Sequence, residues 1–198
     1  DVLAHPLRLR KAALGQRETG HTPAPFVAGP ALRKPAKLQQ RNAAIRNGAP
    51  APLEDFDRVI RINLVGTYNV VRLAAARIAR LEPFEGGERG VMVMTASVAA
   101  YDGQVGQEAY AASKGALAQL VRSLALEYAD RGIRVNAVAP GAVTTGLNAA
   151  WIHDDKARAA VESHIPMRRV ATPDDIAGVY AFLASDDANY ITGQTIFA

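Results

Sequence analysis

From Leu53 onward, apolar residues recur three and four positions apart: Phe56, Val59, Ile60, Leu64, Val70, Val71 and Ala74, with Asn63 and Thr67 set among them. This spacing predicts a long helix over 53–80. Its apolar positions lie on more than one side, so the helix is expected to pack against a sheet and against a second surface. Pro83 and Glu85-Gly86-Gly87-Glu88 then break the pattern into a turn. Val91-Met92-Val93-Met94-Thr95-Ala96 follows as a short, nearly continuous apolar run, the pattern of a strand covered on both faces.

A loop containing Gly103, Gln104, Gly106 and Gln107 leads into a second helix over 108–129, which Gly132 ends. Arg134-Val135-Asn136-Ala137-Val138-Ala139 reads as another buried strand, stopped by Pro140-Gly141. An irregular stretch to Pro166 holds a short helix over 154–163. Thr172 suits an N-cap, Pro173 the first helical position, and Asp174 and Asp175 the positive end of the helix dipole. That third helix is expected to reach Ala184, and 190–197 to form a last strand. The alternation α-β-α-β-α-β predicts an α/β fold, a doubly wound parallel sheet with helices on both faces.

Composition divides the chain. Residues 1–50 hold nine Lys/Arg against two Asp/Glu, a balance of +7, and six of the eleven prolines. Residues 51–198 hold fourteen against seventeen, a balance of −3, so the net charge of +4 is the charge of the first fifty residues. That segment has no helical or strand period, and a basic, proline-rich stretch of this kind is expected to stay disordered. Phe26 is its one aromatic residue, so nucleic acid is not an expected partner. The chain has no cysteine, which excludes disulfides and thiolate metal sites, and no metal is expected. No apolar run approaches the roughly 20 residues of a membrane span, and a cytoplasmic location is the expectation.

Tyr110-Ala111-Ala112-Ser113-Lys114 places a phenol and an ammonium one turn apart on one helix face. A tyrosine of ordinary pKa, about 10, is a poor base, and a cation beside it favours the phenolate. Alone, such a pair is an ordinary helix surface. Ser97 lies just past the carboxyl end of the first strand, where open parallel sheets bind ligands; a serine there also forms turns. Asn63 is a polar amide within an apolar helix, either a satisfied core amide or a working group. Pro140-Gly141-Ala142-Val143-Thr144-Thr145 offers backbone amides after the second strand, or a simple strand-ending turn.

Together, Asn63, the spacing of Ser97 to Tyr110-x-x-x-Lys114, Ile133-Arg134-Val135-Asn136-Ala137-Val138-Ala139-Pro140-Gly141 and Ile191-Thr192-Gly193-Gln194 resemble the short-chain dehydrogenase/reductase family over 53–198. The resemblance implies a Rossmann-like fold and an oxidoreductase using NAD, with NADP not excluded. It implies that Tyr110 is the general acid/base and that Lys114 lowers its pKa and bonds the nicotinamide ribose. Ser97 orients the substrate carbonyl and Asn63 anchors a relay water. Pro140, Gly141, Val143 and Thr145 then lie along the nicotinamide. Thr95-Ala96-Ser97-Val98-Ala99-Ala100-Tyr101-Asp102-Gly103-Gln104 is similar to the type 2 3-hydroxyacyl-CoA dehydrogenases, which implies a short-chain 3-hydroxyacyl-CoA thioester as substrate and Gln104 as a pocket residue. It further implies a homodimer or homotetramer. Trp151 and His153 fall in the expected substrate lid, as packing, surface or specificity residues.

The match departs from the family at its start. Gly15, Gly20 and Gly29 are scattered, with no buried strand before them, so residues 1–50 lack the glycine-rich turn that cradles a pyrophosphate. Asn42-Ala43-Ala44-Ile45 only echoes the family's Asn-Ala-Gly motif, after a run too polar for a central strand. The fold is therefore expected to be incomplete in its N-terminal half, the chain to be a partial or rearranged product, and its cofactor binding to be weak. A non-catalytic remnant that associates with an intact relative is the alternative.

Overall fold

The computed structural model describes residues 44–198. The segment expected to be disordered, residues 1–50, lies outside the described residues up to residue 43, and from Ala44 it forms a hairpin. Ala44 onward opens with a two-residue-per-strand hairpin, β1 (Ile45–Arg46) and β2 (Ala49–Pro50), paired antiparallel. Its turn is Asn47-Gly48, with φ of 50° and 78°, the left-handed pair that a tight hairpin turn requires.

The helix expected over 53–80 is built in three pieces. α1 (Leu53–Ile60) passes into one wide π turn, Arg61–Val65, and then into α2 (Gly66–Ile78). Asn63 sits in the middle of the wide turn, where the Thr67 hydroxyl donates to its carbonyl at 2.7 Å. A side-chain donor one turn on competes with the regular backbone ladder, and single π turns of this kind concentrate at functional sites.

Three parallel strands follow in the order β3 (Gly90–Thr95), β4 (Ile133–Ala139), β5 (Thr195–Phe197). All seven residues of β4 are buried, Arg134 and Asn136 among them, as expected of a strand covered on both faces. The alternation of side chains sends β3 and β4 into two separate cores. Met92, Met94, Val135, Ala137 and Ala139 pack with α2 and with α3 (Glu108–Tyr128), through Val71, Leu117, Val121 and Leu124. Val138 faces the other way, onto Ile176 and Leu183 of α6 (Pro173–Ala184), with Val93 and Ile196 alongside. Helices thus cover both faces, as the doubly wound reading requires, and the sheet is incomplete.

The region between β4 and α6 holds α4 (Ala149–Ile152), which the apolar pattern did not announce, and α5 (Asp155–Glu162), capped by the Asp154 carboxylate. α6 starts as expected: Thr172 and Asp175 form a reciprocal capping box behind Pro173. The last strand is a correction. It spans Thr195–Phe197, shorter than the expected 190–197, because Gly193 takes a left-handed φ of 73° that breaks the regular strand. Two backbone bonds, Gly193 N–H to the Val135 carbonyl at 2.7 Å and Ala137 N–H to the Gln194 carbonyl at 2.8 Å, and several side chains hold the preceding residues to β4. The buried Asn136 amide donates to the Ile191 carbonyl at 2.8 Å and accepts from the Gln194 N–H at 3.0 Å. The Thr192 hydroxyl accepts from the Val135 N–H at 3.0 Å.

Candidate active site

The carboxyl ends of β3 and β4 and the first turns of α3 bring most of the expected residues to one edge of the sheet. Ser97 follows β3 in extended backbone and is buried. Its hydroxyl oxygen accepts the Ala99 N–H at 3.2 Å, starting the 3-10 turn Val98–Ala100. Turn formation and chemistry are therefore compatible: the bond uses a lone pair and leaves the hydroxyl proton free to donate. Val98 in turn donates from its backbone to the Pro140 carbonyl at 3.2 Å, which joins the Ser97 loop to the segment after β4.

Tyr110 and Lys114 lie half-buried on the first turns of α3. The Lys114 ammonium stands 5.8 Å from the centre of the Tyr110 ring and donates to the Thr95 carbonyl at 2.7 Å. Burial pulls the lysine below its usual pKa range. No protein group among the described residues bonds the Tyr110 hydroxyl. Asn63 reaches the same helix from the π turn, its side-chain amide donating to the Ser113 hydroxyl at 3.1 Å. Gln104 is held by Gln107, whose amide donates to it at 2.5 Å, three residues before Tyr110.

The segment after β4 differs in part from expectation. The amides of Gly141, Thr144 and Thr145 are not free. They donate to the carbonyls of Ala198, Ala171 and Val143 at 2.8, 2.8 and 2.9 Å. Those of Ala142 and Val143 remain unengaged among the described residues, so only that pair is available to a carboxamide. Trp151 is buried and His153 exposed, which makes the first a packing residue and the second a surface one.

Several neighbours were not singled out from the sequence. Thr95 holds Lys114 through its carbonyl, while its hydroxyl shares a 2.6 Å hydrogen bond with the Tyr180 hydroxyl of α6. Ser113 and Gln107 are buried polar residues, each three positions from Tyr110 on its own face of α3. That helical spacing was the available signal.

A parallel sheet with helices on both faces, with Ser97, Tyr110 and Lys114 gathered at its carboxyl edge, defines the doubly wound α/β class. Residues 40–198 match the sequence profile of the family described as Enoyl-(Acyl carrier protein) reductase. This chain belongs to the short-chain dehydrogenase/reductase family. The matched stretch begins before the hairpin and takes in Asn42-Ala43-Ala44-Ile45.

Among curated proteins, the glucose 1-dehydrogenase of Gluconobacter oxydans is 46% identical over 145 residues, 73% of this chain and 53% of that protein. The type 2 3-hydroxyacyl-CoA dehydrogenase of Bos taurus is 42% identical over 145 residues, 73% of this chain and 54% of its own. The crystal structure of the type 2 3-hydroxyacyl-CoA dehydrogenase from Mycobacterium avium superposes with a TM-score of 0.74 at 41% identity, over 78% of this chain and 59% of that one. A structure from Beutenbergia cavernae, described as an NAD(P)-dependent gluconate 5-dehydrogenase, holds NADP at low occupancy. It matches with a TM-score of 0.66 at 39% identity, over 74% of this chain and 57% of that one. A 4-hydroxyisoleucine dehydrogenase complexed with NADH matches with a TM-score of 0.62 at 32% identity, over 72% and 56%. The chain spans a little over half the length of the curated relatives it matches.

Proposed function

We propose that this chain carries the catalytic part of an NAD-dependent oxidoreductase that interconverts a secondary alcohol and a ketone, with a short-chain 3-hydroxyacyl-CoA as substrate. The observation that carries the reading is the Lys114 ammonium beside the Tyr110 ring, with Ser97 at the end of the neighbouring strand. The similarity of 41% to 42% to type 2 3-hydroxyacyl-CoA dehydrogenases supports the thioester. The glucose-oxidising relative shows that family membership alone does not select it.

The residues fit one end of such a cofactor. Lys114 has spent one proton on Thr95 and keeps two, and the Ala142 and Val143 amides are unengaged. The pyrophosphate end has no counterpart among the described residues, where no glycine-rich turn follows a buried strand ahead of α1. Bound at Lys114, NAD would supply the hydride acceptor. Ser97 donates its free proton to the substrate oxygen and sets the carbon's orientation. The Tyr110 phenolate takes the hydroxyl proton as that carbon gives up hydride, leaving a ketone. Lys114 places a positive charge beside the Tyr110 ring, 5.8 Å from its centre. Asn63 anchors the water through which the proton leaves, and Gln104 lines the acyl pocket.

Titration of NADH into the purified chain tests the reading, with transfer from the single tryptophan, Trp151, as the signal. Saturable quenching is expected, weaker in Lys114→Met; no saturation at millimolar NADH contradicts it. One observation favours a second reading, a non-catalytic partner of an intact relative: no described strand pairs with the outer edge of β3. Exposed Ile62, Val65, Val70, Leu73 and Leu126 support self-association as a homodimer or homotetramer under either reading.

A further inference from the structure

Ser113 is fully buried inside α3, between the two residues proposed for proton transfer. Its hydroxyl has both capacities in use. It donates to the Tyr110 carbonyl at 2.7 Å and accepts from the Asn63 side-chain amide at 3.1 Å. The Asn63 backbone carbonyl accepts in turn from the Thr67 hydroxyl at 2.7 Å. Three hydrogen bonds, through the backbone and then the side chain of Asn63, therefore link α2 and the π turn to the helical turn that bears Tyr110 and Lys114. Asn63 and Ser113, joined by the middle bond, are 50 positions apart in sequence, and no backbone ladder connects them.

We infer that Ser113 is a positioning residue, whose hydroxyl sets where Asn63 stands relative to Tyr110 and Lys114. The role rests on the proton-transfer reading proposed above. A helix interior made only of apolar contacts would fix the distance between α3 and the π turn, but not the rotation of an amide inside that turn. A hydrogen bond to a buried hydroxyl that is itself held by the Tyr110 carbonyl does fix it. A π turn is a soft element, with one residue more than the helix needs, and a single buried anchor is enough to choose its conformation.

Two measurements on the full chain test this. In protein labelled with 15N-asparagine, the Asn63 side-chain amide pair is identified by its loss in Asn63→Leu. Ser113→Ala is expected to shift that pair and speed its exchange with solvent, since the donor loses its partner. In turnover of acetoacetyl-CoA with NADH, Ser113→Ala is expected to lower kcat about 10-fold and to leave the KM for NADH within about 2-fold. The Asn63→Leu/Ser113→Ala pair is expected to be no slower than the worse single variant, because both cut one connection. Ser113→Cys, close in volume and retaining a weak donor, recovers part of the rate.

An unmoved Asn63 amide in Ser113→Ala overturns the connection itself. Turnover that survives Ser113→Ala, or losses that add in the double variant, overturn the positioning role alone. A wild-type chain without turnover overturns the oxidoreductase reading and this role with it, while the amide measurement still judges the hydrogen bond.

Discussion

A lysine placed half in and half out of solvent beside a phenol works against the stability of the chain that carries it. Burial lowers the pKa of Lys114 in the folded state, so between that lowered value and the ordinary lysine value of about 10.4 the folded chain holds fewer protons than the unfolded one. Stability then rises with pH across that window, and below it the charged ammonium costs stability in full. Lys114→Met removes the cost. The variant is expected to be the more stable at neutral pH, by less than about 1 kcal/mol because solvent screens the group, and to lose the gain on approach to pH 10. Urea unfolding of both proteins at pH 7 and pH 10 checks this. Parallel pH slopes would show that the ammonium is not strained. The same variant is expected to weaken turnover and NADH binding together, the exchange of stability for function that working groups impose. At this scale the sequence was informative about chemistry and silent about support. Tyr110, Lys114, Ser97 and Asn63 stand out by type and spacing. Thr95 and Ser113 act through a carbonyl and a bridging hydroxyl, contacts that exist only once β3, α3 and the π turn have met.

Elements repeat this division. β3 and β4 were legible because strands covered on both faces are short and mostly apolar, with Arg134 and Asn136 the only polar breaks in β4, and α6 because its Thr-Pro-Asp-Asp start spells out a cap. The π turn was not, since its apolar spacing is indistinguishable from that of a regular helix over one turn. The strand read over 190–197 from its apolar residues holds only at 195–197, where Gly193 and the Asn136 clamp set its start. One glycine sets the junction that delivers β4 to the site. Gly132 closes α3 with φ of 67°, and a β-carbon there would stand 2.2 Å from the Gly87 carbonyl oxygen. The Arg89 N–H bonds the Gly132 carbonyl at 2.7 Å, and the β3–β4 register begins next door, at Gly90 opposite Ile133. Gly132→Ala is therefore expected to cost at least about 2 kcal/mol, a fall in Tm of roughly 4–8 °C in a chain of this size. A thermal melt within about 1 °C of wild type would mean that the loop at Gly87 yields without cost.

Across the whole molecule, two cores on opposite faces of a three-stranded sheet hold the site's edge in place, and the outer side of β3 is left without a described partner strand. The Arg134 guanidinium ties the opposite end of the sheet together, bonding Glu88 at 2.6 Å and the carbonyls of Leu183 and Ser185. Relatives of which this chain spans 53% to 54% include a glucose dehydrogenase and a 3-hydroxyacyl-CoA dehydrogenase, so the scaffold is shared and the substrate is chosen locally. The central claim is that Tyr110 moves the proton. It is tested most directly by placing the part of the Mycobacterium avium dehydrogenase that this chain does not match ahead of residue 40 and following NADH oxidation with acetoacetyl-CoA. The fusion is predicted to turn over, and Tyr110→Phe to reduce its kcat by about 100-fold or more. A Tyr110→Phe fusion that keeps most of the activity would contradict the account.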